Sequence, residues 1–168
     1  MAEAFWTWAV ERYGRDGVAP LCLALQDDHD QNVPLLLWAA WGATHGVRIA
    51  AHADRAAHIA RVWSDAAVVP LRAIRRRLKT ALHDGDDTDR LALRDTVKAA
   101  ELEAERALMS QLESLAAPGD LIPVPGLKDA TLAALVATSG AWSAEIPVEG
   151  LMSLMEALTK TEILGYNG

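Results

Sequence analysis

Between Asn32 and Gly46 the chain runs Val33-Pro34-Leu35-Leu36-Leu37-Trp38-Ala39-Ala40-Trp41-Gly42-Ala43-Thr44-His45, with Thr44 the one plainly polar interior position. At 100° per residue Trp38, Trp41 and His45 fall on one side of a helix, Leu35, Ala39 and Gly42 on another, with Leu36 and Ala43 beside them. A helix apolar all round must be covered on every side, so this segment is expected at the centre of a helical core. The rest of the chain reads as further helices, without an alternating strand or an internal repeat. The pattern predicts helices at Glu3–Tyr13 (Phe5, Trp8 or Ala9, and Tyr13 inward), Val18–Asp28 and Ile49–Trp63 (Ile59, Val62 and Trp63 inward). Asp65 is the expected N-cap of a helix from Ala66 to His83, in which Pro70 is tolerable only near the first turn or at a kink. The longest helix is expected from Thr88 to Ala116, with Leu93, Val97, Ala100, Ala104, Ala107 or Leu108, and Leu115 inward. Two shorter helices, Asp129–Ser139 and Val148–Thr159 (Leu151, Met152, Met155 and Leu158 inward), follow a connector rich in Pro and Gly.

The fold class expected is therefore all-α, a compact bundle of about six to eight helices around the central apolar one. Its 168 residues suit one domain, with a core bundle over 1–116, the connector over 117–126 and two docked helices over 127–168. With 51% hydrophobic and 23% charged residues, the chain has the composition of a folded globular protein. The longest uncharged stretch, Asn32–Val47, is shorter than the ~20 residues that cross a bilayer. The start Met-Ala-Glu-Ala-Phe-Trp lacks the basic flank of a signal peptide, so a cytoplasmic location without membrane insertion is expected. A net charge of −7 argues against a surface built as a whole for nucleic acid. Cys22, the single cysteine, lies in an apolar run and reads as a buried thiol rather than a nucleophile.

Few residues carry candidate chemistry. Asp27-Asp28-His29-Asp30 reads as a solvated helix terminus, because successive residues there point in different directions. The loop from Asp84 echoes a calcium loop, but Asp89 stands where glycine is required and Asp95 where a bidentate Glu is expected. His45, His52 and His58 lack the helical spacing of a zinc site. No catalytic, cofactor or metal residues are assigned. One cluster stands out: Arg72, Arg75, Arg76 and Lys79 fall within about a 100° arc of one helix, beside Leu71, Ile74, Leu78 and Leu82 as the expected core face. These four basic residues read either as ion-pair partners of Glu101 and Glu105, which share a helix face, or as a site for an anion or an acidic partner.

Several motifs in order carry a resemblance: Phe5-Trp6-Thr7-Trp8-Ala9 with Tyr13, Gly17-Val18-Ala19, Cys22 to Asp27 with His29, and Leu35 to Trp38 with Trp41-Gly42. Trp63, Val68 to Arg72, Arg75-Arg76 with Leu78-Lys79, and Val97-Lys98 with Glu101 to Glu105 continue it. Over roughly residues 5–106 the chain resembles a proteobacterial family of small all-helical proteins of unknown function. Two positions depart from the pattern: Asp30, where a glycine turn is expected, and Pro34, where a polar residue usually opens the helix. The resemblance supports the fold and implies no activity, substrate or cofactor.

Two functions are expected from the residues. The first is a non-enzymatic helical interaction or adaptor protein, self-associating as a homodimer, because six Trp and an all-round apolar helix exceed what one small domain easily hides. The second is a binding protein or enzyme for an anionic or apolar-anionic small molecule. Its pocket would be walled by Trp38, Trp41 and Trp63, with polar contacts from His45 and the arginines. Nucleic acid is not expected as a partner, since the basic residues lack interleaved exposed aromatics.

Overall fold

The turn that opens the central helix joins three residues with different conformational roles. Asp30 sits in the left-handed region (φ 51°) and ends the preceding helix, while the amide of Gln31 reaches back to the carbonyl of Leu25. This is the position where glycine is usually placed, and Asp is among the few side chains that tolerate it. Asn32 then caps the next helix, its Oδ1 accepting from the amide of Leu35 at 3.0 Å. Pro34 follows within the first turn, where its missing N–H costs nothing. Both departures from the family pattern are thus accommodated by the geometry of this one junction.

The computed structural model describes residues 4–83, 87–116 and 126–160. Among them the fold is all-α: α1 (Phe5–Tyr13), α2 (Val18–His29), α3 (Val33–Thr44), α4 (Ile49–Trp63), a π-helical turn (Ser64–Val68), α5 (Val69–Arg77), α6 (Thr88–Glu113), α7 (Leu127–Trp142) and α8 (Val148–Thr159). Every residue of α3 from Leu35 to Ala43 is buried. Its cover comes from the same chain: α7 packs along it most extensively, with α6, α4, α1 and α2 around the rest. Trp8, Trp38 and Trp41 are buried, and Trp6, Trp63 and Trp142 pack half-buried against the core. The apolar helix therefore needs no second copy to hide it, which removes the sequence-based reason for a homodimer. None of the described helices is long and apolar enough to cross a membrane.

Small residues set the spacing. The face α4 turns inward is Ala53, Ala56, Ala57 and Ala60 with Ile49, and Ile59 and Trp63 pack half-buried against the core as expected, whereas Val62 is exposed, contrary to the sequence expectation. Alanine wins that face because it lets α4 lie close to its neighbours. Gly42 serves the same purpose: a Cβ there would stand 2.2 Å from Ile49 Cδ1.

The helix expected to start after Asp65 is instead a continuation. From Ile49 to Arg77 the chain stays helical, and the π-helical turn immediately before Pro70 absorbs the donor that proline lacks. Asp65 lies inside that turn and caps nothing, and α5 ends at Arg77 rather than at His83. No residue of α5 is buried. Of its expected core face, Leu71 is half-buried, Ile74 and Leu82 are exposed, and only Leu78, at the helix end, is buried. In α6 burial is confined to the second half, Glu101, Ala104, Leu108, Met109 and Leu112. Leu93 and Ala100, expected inside, are exposed, and Val97 is half-buried. The two halves of one apolar stripe thus differ in burial. In α8, Leu154 is buried and Met152 exposed, so the inward face is rotated from the one expected. The connector over 117–125 and the loop residues 84–86 lie outside the described residues.

Candidate functional site

The four basic residues of the sequence cluster are on α5 or just beyond it, and two of them meet the paired glutamates of α6. Arg72 donates from Nε to Glu101 Oε1 and from a terminal nitrogen to Glu105 Oε1, both at 2.9 Å. Arg75 donates to both oxygens of Glu101, from Nε at 2.5 Å and from a terminal nitrogen at 3.3 Å. Arg76 reaches Asp27 Oδ1 at 3.2 Å across an exposed gap. Lys79 is exposed beyond the end of α5.

Glu101 is the buried member, with 8% of its side chain exposed. Burial alone would raise its carboxyl, but hydrogen bonds from Arg75 and Arg72, with their charges, hold it below the usual range. Glu105 is pushed the other way: burial and the Glu101 charge raise it against the hydrogen bond and charge of Arg72 and the charge of Arg75. Neighbouring carboxylates with unequal shares of the nearby cations separate in this manner. The network fixes α5 on α6, and it leaves the arginines few free donors for an external anion.

The residues of the second expected group occupy three different settings. Trp38 has no exposed surface, and its Nε1 has no hydrogen-bond partner. Trp41 lies against Phe5 at 5.5 Å and His45 at 5.0 Å between ring centroids. His45 caps α3, its Nδ1 lying 2.8 Å from the carbonyl of Trp41 and 3.0 Å from Thr44 Oγ1. Trp63 is half-buried against the core at the end of α4. Cys22 is fully buried, and burial pushes its thiol up to about 12, which makes it inert at neutral pH. Among the described residues no three His, Cys, Asp or Glu side chains are placed to hold a metal ion.

A cleft lies where the α2–α3 junction, the π-helical turn, α5 and α6 converge. Its volume is about 580 Å³, with Asp27, Asp30, Asp65 and Arg76 exposed around it and Gln31, Ser64, Val68 and Leu108 buried beneath. Asn32 joins two walls, because while its oxygen caps α3 its Nδ2 donates to Ser64 Oγ at 3.2 Å. Trp142, from the end of α7, closes one end and donates from Nε1 to the carbonyl of Asp30 at 2.6 Å. Arg61 secures that end, donating to the carbonyls of Ala141 and Trp142 and lying 5.2 Å from the Trp142 ring. Gln31 is 3% exposed; its Nε2 donates to the carbonyl of His29, and its Oε1 has no partner.

An apolar slot of about 290 Å³ adjoins the cleft, with Trp6, Val10, Leu23, Leu37, Leu102 and Met109 among its walls. Gln26, Val33, Pro34 and Glu105 belong to both cavities. Sequence reading missed Gln31, Asp65 and Trp142. Gln31 sits in a polar run that reads as a solvated helix end, Asp65 reads as a cap, and Trp142 is more than 100 residues away from the junction it closes. The only local signal was the Asn32 cap, which fixes where the chain turns.

No curated protein and no solved structure matches the chain. The model of a family described as a protein of unknown function, DUF2390, matches residues 4–112, which takes in α1 through the last turn of α6 together with the arginine–glutamate network and all of the cleft except Trp142. By that match the chain belongs to this family of proteins of unknown function.

Proposed function

We propose that the protein is a non-enzymatic helical interaction protein that self-associates through the arm formed by α5 and the first half of α6. One observation carries the reading. The stripe that is buried at Ala104, Leu108 and Leu112 continues at helical spacings of three and four through Ala100, Val97 and Leu93, yet Leu93 is 52% exposed while Leu108 is 1% exposed. The order 93, 97, 100, 104 has the alternating four-and-three spacing that seats a partner helix. Ile74, Leu82 and Leu91 add further exposed apolar surface on the arm. A second copy offers the same stripe, and Asp95 and Lys98 beside it supply charges of both signs for a symmetric pairing.

Sedimentation equilibrium tests this. The wild type is expected to be a dimer at micromolar concentration, and Leu93→Glu/Val97→Glu a monomer with unchanged helical circular dichroism. A wild-type monomer across that range overturns the reading.

A further inference from the structure

We propose that the cleft and the slot beside it form one binding site for an organic cation attached to an apolar body, the charged head in the cleft and the body in the slot. This site is separate from the arm and does not depend on it.

The sign of the charge follows from what is already paired. Arg72 is engaged by Glu101 and Glu105, and Arg76 by Asp27. Asp30 and Asp65 have no ion-pair partner among the described residues, so the charge left over in the cleft is negative. Gln31 points to the same class. Its Nε2 is committed to a carbonyl, so the unpartnered atom is an oxygen, and a buried amide oxygen requires a donor. An ammonium or guanidinium group is all donors, whereas a carboxylate or phosphate would meet that oxygen as a second acceptor. Trp142 adds an aromatic wall of the kind that favours cations, with Arg61 already 5.2 Å from its ring.

The apolar part follows from adjacency. The slot contains exposed Val10, Leu23 and Leu102 over buried Ala9, Leu37 and Met109, and it shares Val33 and Pro34 with the cleft. Together the two cavities fall in the range of roughly 300–1,000 Å³ typical of small-molecule sites. The ligand class is opposite in charge to the one the arginine cluster alone would suggest. Two sources share this chemistry: a free amphiphilic amine, and a basic side chain next to apolar ones on a peptide.

The test is a titration of the ¹⁵N-labelled full chain, reading the indole N–H signals of Trp142 in the cleft and Trp6 in the slot. The probes are octylammonium chloride, octanoate, ethylammonium and a short amidated peptide carrying arginine beside leucines. Octylammonium is expected to shift both signals saturably, octanoate to bind at least about tenfold more weakly, and ethylammonium to shift only Trp142. Tighter binding by the peptide assigns the source as a protein segment, and tighter binding by the amine a small molecule; both support the site. Asp30→Asn/Asp65→Asn is expected to weaken octylammonium about tenfold, the size of effect a lost charged hydrogen bond produces, without weakening octanoate. Asparagine tolerates the left-handed position, so this variant keeps the fold. Gln31→Met is expected to weaken binding with thermal stability unchanged or raised, which separates a ligand role from a structural one. Octanoate binding as well as octylammonium, shifts confined to Trp6, or a double variant with wild-type affinity overturns the proposal.

Discussion

The two halves of α6 carry the same apolar stripe and have opposite fates. The helix packs against α1, α3, α4, α5 and the π-helical turn, and from Glu101 onward Ala104, Leu108 and Leu112 are buried. Before Glu101 no residue of it is buried. Helical periodicity therefore reports which face of a helix is apolar, and the surrounding elements decide how far along the helix that face is covered. The boundary is marked by Glu101, the buried carboxylate that Arg72 and Arg75 grip from α5.

The largest expected effect breaks the comparison most directly. Leu108→Ala should lower stability by about 3–4 kcal/mol, since it empties a fully packed position. Leu93→Ala, the same change on the same stripe, should cost less than about 1 kcal/mol, measured by denaturant unfolding at a concentration where the protein is monomeric. Equal losses would mean that the first half of α6 is as well packed as the second.

How far this division could be read from the chain depends on the residue. The burial of α3 was legible because no polar face exists on it to meet water, and Asn32 and Pro34 mark its start unambiguously. The inward alanines of α4 were not, because alanine carries too little hydrophobic signal to compete with Ile59, Val62 and Trp63 on the same helix. The π-helical turn was hidden for a different reason: Pro70 announces that a hydrogen bond is missing, but a break, a kink and a wider turn all satisfy that requirement. The pairing of Arg72 and Arg75 with Glu101 was visible as one of two readings, since matched charges on adjoining helices are local in sequence. The cleft was not, because it needs Trp142 from α7 and the unpartnered Gln31 from the α2–α3 junction.

The next effect in size sits at the boundary itself. Glu101→Gln leaves Arg72 and Arg75 facing an uncharged amide and should cost about 2–3 kcal/mol at pH 7, the value of hydrogen bonds to charged groups in a mostly buried setting. The pH dependence has a defined sign. A carboxyl held below its usual value contributes stability above the ordinary Glu range near about 4.3, and that stability is lost as pH falls through the depressed value. The gap between wild type and Glu101→Gln should therefore close in acid. Glu105 runs oppositely, because its raised carboxyl costs stability while ionised and is relieved on protonation. Glu105→Gln should then change stability by less than about 1 kcal/mol at pH 7 and lose the relief that mild acid brings to the wild type. Thermal unfolding from pH 3 to 8 reads both, and a gap for Glu101→Gln that widened in acid would reverse the assignment of the two carboxyls.

The smallest effect sharpens the contrast from the covered side. A left-handed residue other than glycine persists only where its surroundings hold it, and Asp30 is held on both sides: its carbonyl accepts from Trp142, and Asn32 two residues later caps α3. Asp30→Gly removes the steric cost of that backbone while adding freedom to the unfolded chain. The first term is about 1–2 kcal/mol and the second about 0.5–1 kcal/mol, so a net gain of about 0.5–1 kcal/mol is expected. The backbone bond from Trp142 does not depend on the side chain and should survive, visible as an unchanged indole N–H signal. A loss of stability in Asp30→Gly would show that the Asp30 side chain itself holds the junction, and that the covered half of the molecule relies on a surface carboxylate as much as on its packed helices.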